Sequence, residues 1–187
     1  MQVISFDLPI GIAEAGPQIL SLHPGDCILV QGMSGSGKTV LFQKMIALLE
    51  SSYSDALELI AIYDSKGCEY RLTEKPLKRL VFCGEKSHDD FLKFLKGFSL
   101  NKKDKPAFVF IDEAYILSYY KEPRKIIEEF LRANQHAVVA ISAQAMATLL
   151  PFEDLADTFI QFHPQKTGDF CMEAQEATCV SMHVALP

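Results

Sequence analysis

The sequence predicts one α/β domain over residues 1–187, with a mostly parallel central sheet flanked by helices. Three observations carry that expectation. A glycine-rich loop stands between an apolar strand and a helix, further apolar runs have the length of buried strands, and 49% of the residues are apolar, which suits a sheet covered on both faces. A chain of 187 residues is long enough to bury such a core without disulfide or metal staples.

The loop is Gly32-Met33-Ser34-Gly35-Ser36-Gly37-Lys38-Thr39. It fits the phosphate-binding pattern of two glycines spaced around four residues and followed by Lys and Thr. Cys27-Ile28-Leu29-Val30 reads as the strand before it, and Val40 to Glu50 reads as the helix after it, with Leu41, Met45, Leu48 and Leu49 on one face. Glycines let the backbone curl until its N–H groups point inward, and the helix adds the positive end of its dipole at the same spot. The pattern therefore predicts a nucleotide site. Gly32 to Val40 would wrap the phosphates of ATP, Lys38 would reach the β and γ phosphates, and the Thr39 hydroxyl would hold Mg²⁺.

Taken in order, Met1 to Leu22 alternates weakly and reads as an edge strand or strap. His23-Pro24-Gly25-Asp26 is a turn into the first central strand. Leu57 to Tyr63 is the next strand, broken at Asp64-Ser65-Lys66-Gly67, and Cys68 to Leu72 and Leu80 to Cys83 read as two more around a turn at Thr73 to Lys78. Ser87 reads as a cap for a helix whose Phe91, Leu92, Phe94, Leu95 and Phe98 form a buried stripe, with Lys93 and Lys96 outward. Core packing explains those phenylalanines better than base stacking does.

Ala107 to Ile111 is a buried strand that ends in Asp112 and Glu113. In a chain that also carries a phosphate loop, Asp112 is expected in the Mg²⁺ shell and Glu113 as the carboxylate that aligns and activates water. A carboxylate beyond the metal-side acid suits a hydrolase; a small-molecule kinase does not require it. Glu122-Pro123 starts a helix with Ile126, Ile127, Phe130 and Leu131 inward. Its other side carries Arg124, Glu128 and Arg132, which fits an ion-pair ladder or an arginine that reaches a neighbouring subunit's γ-phosphate. Ala137 to Ser142 is another inner strand running out into Gln144, an amide placed to hydrogen-bond the γ-phosphate or the water. Ala145 to Leu150 reads as a short helix ended by Pro151, and Asp157 to Phe162 as a strand closed by His163-Pro164. Asp169 to Met172 with Cys179 to His183 reads as a terminal hairpin.

Composition sets the remaining bounds. No apolar run is long enough to cross a bilayer, and Met1 to Ile10 lacks the features of a signal peptide, so a cytoplasmic location is expected. Five cysteines at no shared metal spacing read as reduced and mostly buried. A net charge of −6 argues against a surface coated in nucleic acid but leaves room for a basic channel, for which Asn101 to Lys105 and Lys75, Lys78 and Arg79 are candidates. Charge runs of this kind are also ordinary solvated loops.

Together the loop GMSGSGKT, the strand FVFIDEAY and the segment VVAISAQ resemble the FtsK–HerA group of DNA-translocating ATPases over residues 26 to 163. The compact size is most similar to the genome-packaging ATPases of tailless, membrane-containing viruses. The resemblance implies a RecA-like P-loop NTPase fold of the ASCE type, ATP and Mg²⁺ as cofactors, and Lys38, Thr39, Asp112, Glu113 and Gln144 in the family's phosphate, magnesium, water-activating and sensing roles. It also implies a homo-oligomeric ring, commonly a hexamer, acting on double-stranded DNA in the host cytoplasm or on a virion, with a capsid vertex or membrane-associated portal component as a further partner. The family supplies an arginine across the subunit interface. Where relatives often show Arg followed by a basic or His residue and Gly, this chain has Asn134-Gln135-His136-Ala137, so Arg132 is the first choice for that role and Arg124 the second. The competing functions are a Zot-like phage assembly or export ATPase and a nucleotide-dependent regulatory switch that moves nothing. The absence of an LSGGQ-like segment before Asp112 disfavours an ABC transporter ATPase.

Overall fold

A computed structural model describes residues 4–13, 16–67, 69–70, 78–100, 104–114, 117, 120–144, 150–162, 169–174 and 180–183. Its strands are β1 (Phe6–Ala13), β2 (Gly16–Leu22), β3 (Cys27–Gln31), β4 (Leu59–Asp64), β5 (Arg79–Cys83), β6 (Ala107–Asp112), β7 (Ala137–Ala143), β8 (Thr158–Phe162), β9 (Asp169–Ala174) and β10 (Val180–His183). The helices are α1 (Lys38–Ser52), α2 (His88–Leu100), α3 (Lys121–Ala133) and the short α4 (Leu150–Glu153).

All the strands join one sheet in the order β2-β1-β10-β9-β8-β3-β7-β6-β4-β5. From β8 to β5 every neighbouring pair is parallel. β7 lies between β3 and β6, so the strand that ends in the glycine-rich loop and the strand that ends in Asp112 are not direct neighbours. This interposed strand brings a third strand end to the same edge, the carboxyl end where open parallel sheets bind ligands.

Every residue of β4, β6 and β7 is buried, as expected for strands covered on both faces. Alternate side chains feed two cores. Ile28, Val30, Phe108 and Phe110 pack with Leu41, Phe42, Met45 and Leu49 of α1. Leu29, Val109 and Ile141 pack on the opposite face with the inner sides of α2 and α3. The phenylalanine stripe of α2 is core: Phe91 stacks on Tyr63 at 5.0 Å, and Phe98 meets Phe130 of α3 edge-on at 6.2 Å. Lys93 and Lys96 are exposed.

Several local readings change. The N-terminal segment forms two strands, β1 and β2, which pair antiparallel from Phe6↔Leu22 to Ala13↔Gly16. Gly16 at φ 113° supports the reversal. The hairpin is anchored on α1 and β6 through Phe6, whose ring meets Tyr53 and Phe108 edge-on. The C-terminal hairpin forms as expected, but it is no ornament: β9 pairs with β8 and β10 with β1, so it joins the parallel half to the N-terminal strands. Ser87 lies in a 3₁₀ turn, Glu85–Ser87, where its hydroxyl donates to the Gly84 carbonyl. Pro151 lies inside α4, so it does not end a helix at Leu150. Glu69 and Tyr70 do not extend a strand. Cys68, residues 71–77, Lys102, Lys103, residues 145–149 and His163-Pro164, which carried other sequence readings, lie outside the described residues. No helix among the described residues is long and apolar enough to cross a membrane.

Candidate active site

The glycine-rich loop leaves the end of β3 at Gln31 and returns as α1. Gly32 donates its N–H to the Ala143 carbonyl at 3.2 Å, which ties the loop to the end of β7. A Cβ at Gly32 would stand 2.5 Å from Ser36 Oγ and 2.7 Å from the Phe162 Cβ, so only hydrogen fits there. Gly35 at φ 77° and Gly37 at φ 115° occupy backbone space that side chains disfavour. No side chain caps α1 and no acid stands in its first turn, so the positive end of its dipole is left for an anion. Met33, Ser34 and Gly35 are exposed, Gly37, Thr39 and Val40 are half-buried, and Ser36 is buried with its Oγ lacking a hydrogen-bond partner among the described residues.

Lys38 is buried and folds back over the loop, donating from Nζ to the Gly32 carbonyl at 2.8 Å and the Met33 carbonyl at 3.0 Å. Burial lowers its pKa, against the opposing pull of Glu113 and Asp112. Its ammonium stands 3.9 Å from Glu113 Oε1.

Asp112 is the last residue of β6, and three hydroxyls surround its buried carboxylate. Thr39 Oγ1 and the Tyr70 hydroxyl donate to Oδ2 at 2.9 and 2.8 Å, and the Ser142 hydroxyl donates to Oδ1. The next residue, Glu113, is the only non-glycine with positive φ among the described residues, at 57°. Such a conformation costs about 1–3 kcal/mol and persists only where its surroundings hold it. Here Ser142 does so from both ends: its Oγ accepts the Glu113 N–H at 3.0 Å, and its carbonyl accepts the Ala114 N–H at 2.8 Å. The turn buries the Glu113 side chain beside two lysines, with Oε1 3.6 Å from Lys66 Nζ and 3.9 Å from Lys38 Nζ. Its Oε2 is buried and makes no hydrogen bond among the described residues.

Gln144 is exposed one residue beyond β7. Because Gln31 pairs with Ala143, its backbone stands at the mouth of the glycine-rich loop. The two arginines are placed differently. α3 runs back from the loop end of β6 to the start of β7, so Arg124 in its first turn lies toward the site end of the sheet and Arg132 in its last turn lies toward the opposite end. Arg124 Nε donates to Glu128 Oε1 at 2.7 Å, which forms the first rung of the expected ladder, whereas Arg132 is exposed and forms no ion pair among the described residues.

The donor set fits both a polyphosphate and a hard cation. A buried ammonium, a cluster of loop glycines and an open helix end suit phosphate, and a threonine hydroxyl against a carboxylate is the oxygen chemistry that Mg²⁺ prefers. Three residues here were not singled out by the sequence: Lys66, Tyr70 and Ser142. Lys66 lay in what read as a turn, Tyr70 in what read as a strand, and Ser142 in a run whose only signal was burial.

Comparison with protein-family models and with curated protein sequences finds no match. Solved structures do match. Over 97% of this chain the fold superposes on the cytoplasmic domain of the type VII secretion ATPase EccC of Thermomonospora curvata, with a TM-score of 0.76 and 13% identity. It superposes over the same 97% on the pCW3 conjugation coupling protein TcpA with bound ATPγS, at TM-score 0.73 and 18% identity. Over 89% of this chain and 100% of the partner it matches the genome-packaging NTPase B204 of Sulfolobus turreted icosahedral virus 2 with ATPγS, at TM-score 0.67 and 20% identity. This chain spans 26% of the EccC chain and 66% of TcpA. The interposed strand between loop and acids, and the likeness to these three proteins, show that this chain has the P-loop NTPase fold they share.

Proposed function

We propose that this chain is the ATP-hydrolysing subunit of a ring-shaped motor that moves double-stranded DNA, and that its task is packaging a viral genome. The observation that carries the hydrolytic part is the buried Glu113 carboxylate, held beside Lys38 in a strained turn with one oxygen unpartnered among the described residues. Such a base is what an attacking water requires. In this reading the Lys38 ammonium leaves the Gly32 and Met33 carbonyls for the β and γ phosphate oxygens, and the N–H groups of the loop and the first turn of α1 take the remaining charge. Thr39 and Asp112 hold Mg²⁺, which when bound neutralises charge on the β and γ oxygens. Glu113 accepts the proton of the water, and Gln144 hydrogen-bonds the γ-phosphate or that water from the end of β7. An arginine from a neighbouring subunit, Arg132 or Arg124, completes the site.

The packaging assignment draws on B204, the neighbour whose whole length this chain matches. A second reading, export of a protein segment, draws on EccC, a structure of which holds a signal-sequence peptide. One experiment separates them: ATPase rate of the purified chain against added double-stranded DNA or added peptide, with assembly state followed by light scattering. DNA-stimulated turnover that rises with ring formation supports packaging. Stimulation by peptide alone would favour export, and nucleotide binding without turnover in assembled material would leave a regulatory switch.

A further inference from the structure

Tyr70 is buried in the loop after β4, far in sequence from any recognised motif, yet its hydroxyl shares Asp112 Oδ2 with Thr39. How it gets there is specific. Asp64, the last residue of β4, pairs in register with Asp112 on β6. Its buried carboxylate is consumed by the backbone of the loop that follows: Oδ1 accepts the N–H groups of Lys66 and Gly67 at 3.1 and 3.0 Å, and Oδ2 accepts those of Glu69 and Tyr70 at 2.9 and 3.3 Å. The Asp64 carbonyl accepts two more, from Gly67 at 3.1 Å and Gly84 at 2.7 Å. These bonds curl the chain back over the strand end and return the Tyr70 phenol to Asp112.

We propose that Tyr70 is a positioning residue for the metal-side carboxylate, an inference that rests on the nucleotide-binding reading of this site. Of the three hydroxyls on Asp112, only Thr39 also belongs to the phosphate loop and is itself offered to the metal. Ser142 on Oδ1, from β7, and Tyr70 on Oδ2, from the loop after β4, each hold one oxygen, so between them they fix the rotamer and plane of the carboxylate whether or not Thr39 is engaged. Asp112 is then set to receive Mg²⁺ and its waters without reorganising. A phenol is suited to this task. Its hydroxyl reaches Asp112 Oδ2 from a buried ring, so the O–H is aimed at the carboxylate.

The test is Tyr70→Phe, which removes one oxygen atom and keeps the ring. Affinity for a non-hydrolysable ATP analogue is measured by calorimetry in EDTA and then across a Mg²⁺ titration, and Mn²⁺ binding to the analogue complex is followed by electron paramagnetic resonance. Loss of a partner that orients a metal-side ligand typically weakens the metal about 10–100-fold. The expected result is therefore a Mg²⁺ and Mn²⁺ midpoint raised about 10-fold or more, with the metal-free affinity unchanged. A variant with wild-type metal midpoints would overturn the inference, as would one that loses affinity equally in EDTA, since that is a packing defect. Wild-type protein that binds no nucleotide in either condition would instead remove the reading on which the inference stands.

Discussion

Ser142→Ala is a sharp test of how the acid turn is held. The Ser142 hydroxyl is fully buried, donates to Asp112 and accepts the Glu113 N–H. Removing it leaves a buried N–H with no acceptor, at about 1–3 kcal/mol, and deletes a hydrogen bond to a charged group, itself about 1.5–3 kcal/mol. Two effects reduce the sum. Asp112 keeps Thr39 and Tyr70 as donors, and Glu113 is released to relax from φ 57°, recovering part of a strain of about 1–3 kcal/mol. The net expectation is a loss of roughly 2–3 kcal/mol, read as a lower urea midpoint with unchanged slope. For a domain of this size that corresponds to a melting point lower by roughly 4–12 °C. Turnover should fall about 100-fold, because a base displaced by an ångström no longer lines up with its water. Ser142→Thr, which keeps the hydroxyl, should retain more of both. An unchanged midpoint together with unchanged turnover in Ser142→Ala would refute the account of the turn.

Three further outcomes are expected. Glu113→Gln should bind ATP like the parent while turnover drops at least about 100-fold, checked by filter binding beside a phosphate-release assay. Arg132→Ala should lower ATPase activity of assembled rings, and mixing it with Lys38→Ala subunits should restore part of it if the arginine acts across the interface; absence of rescue with Arg132→Ala but rescue with Arg124→Ala would move the role to Arg124. Burial, with Asp157 and Asp26 adding, raises the Cys27 thiol from an ordinary 9.0 to about 12. Between these values the unfolded chain releases a proton that the folded chain keeps, so stability present below pH 9.0 is lost as pH rises toward about 12. Urea midpoints should show that decline, with a shallower slope in Cys27→Ala, and alkylation with peptide mapping should find exposed Cys83 modified in native protein and Cys27 only after unfolding.

Much of this molecule is written locally. The glycines at 32, 35 and 37, the apolar run before them and the periodic helix after them occupy one short stretch, so chain-local sterics and periodicity suffice to predict the loop. The same holds for the buried strand that delivers Asp112 and for the phenylalanine side of α2. The terminal hairpin was readable as a pair, but its place between β8 and β1 was not, because alternation reveals which face is buried and says nothing of which edge it meets.

What the tertiary structure alone decided is the company the two acids keep. Tyr70 reaches Asp112 across 42 residues of chain and Ser142 across 30, through the parallel register of β4, β6 and β7. Nothing in a tyrosine after a turn, or a serine at the end of an apolar run, marks it as a partner of a carboxylate, since which strand ends and loops meet depends on how the sheet is ordered. The left-handed turn at Glu113 has the same origin: its local preference is against it, and the hydroxyl and carbonyl of Ser142 on the adjacent strand impose it. Sequence alone thus set the chemistry of the loop and named the acids, while the order of strands in the sheet determined the geometry in which those acids are held.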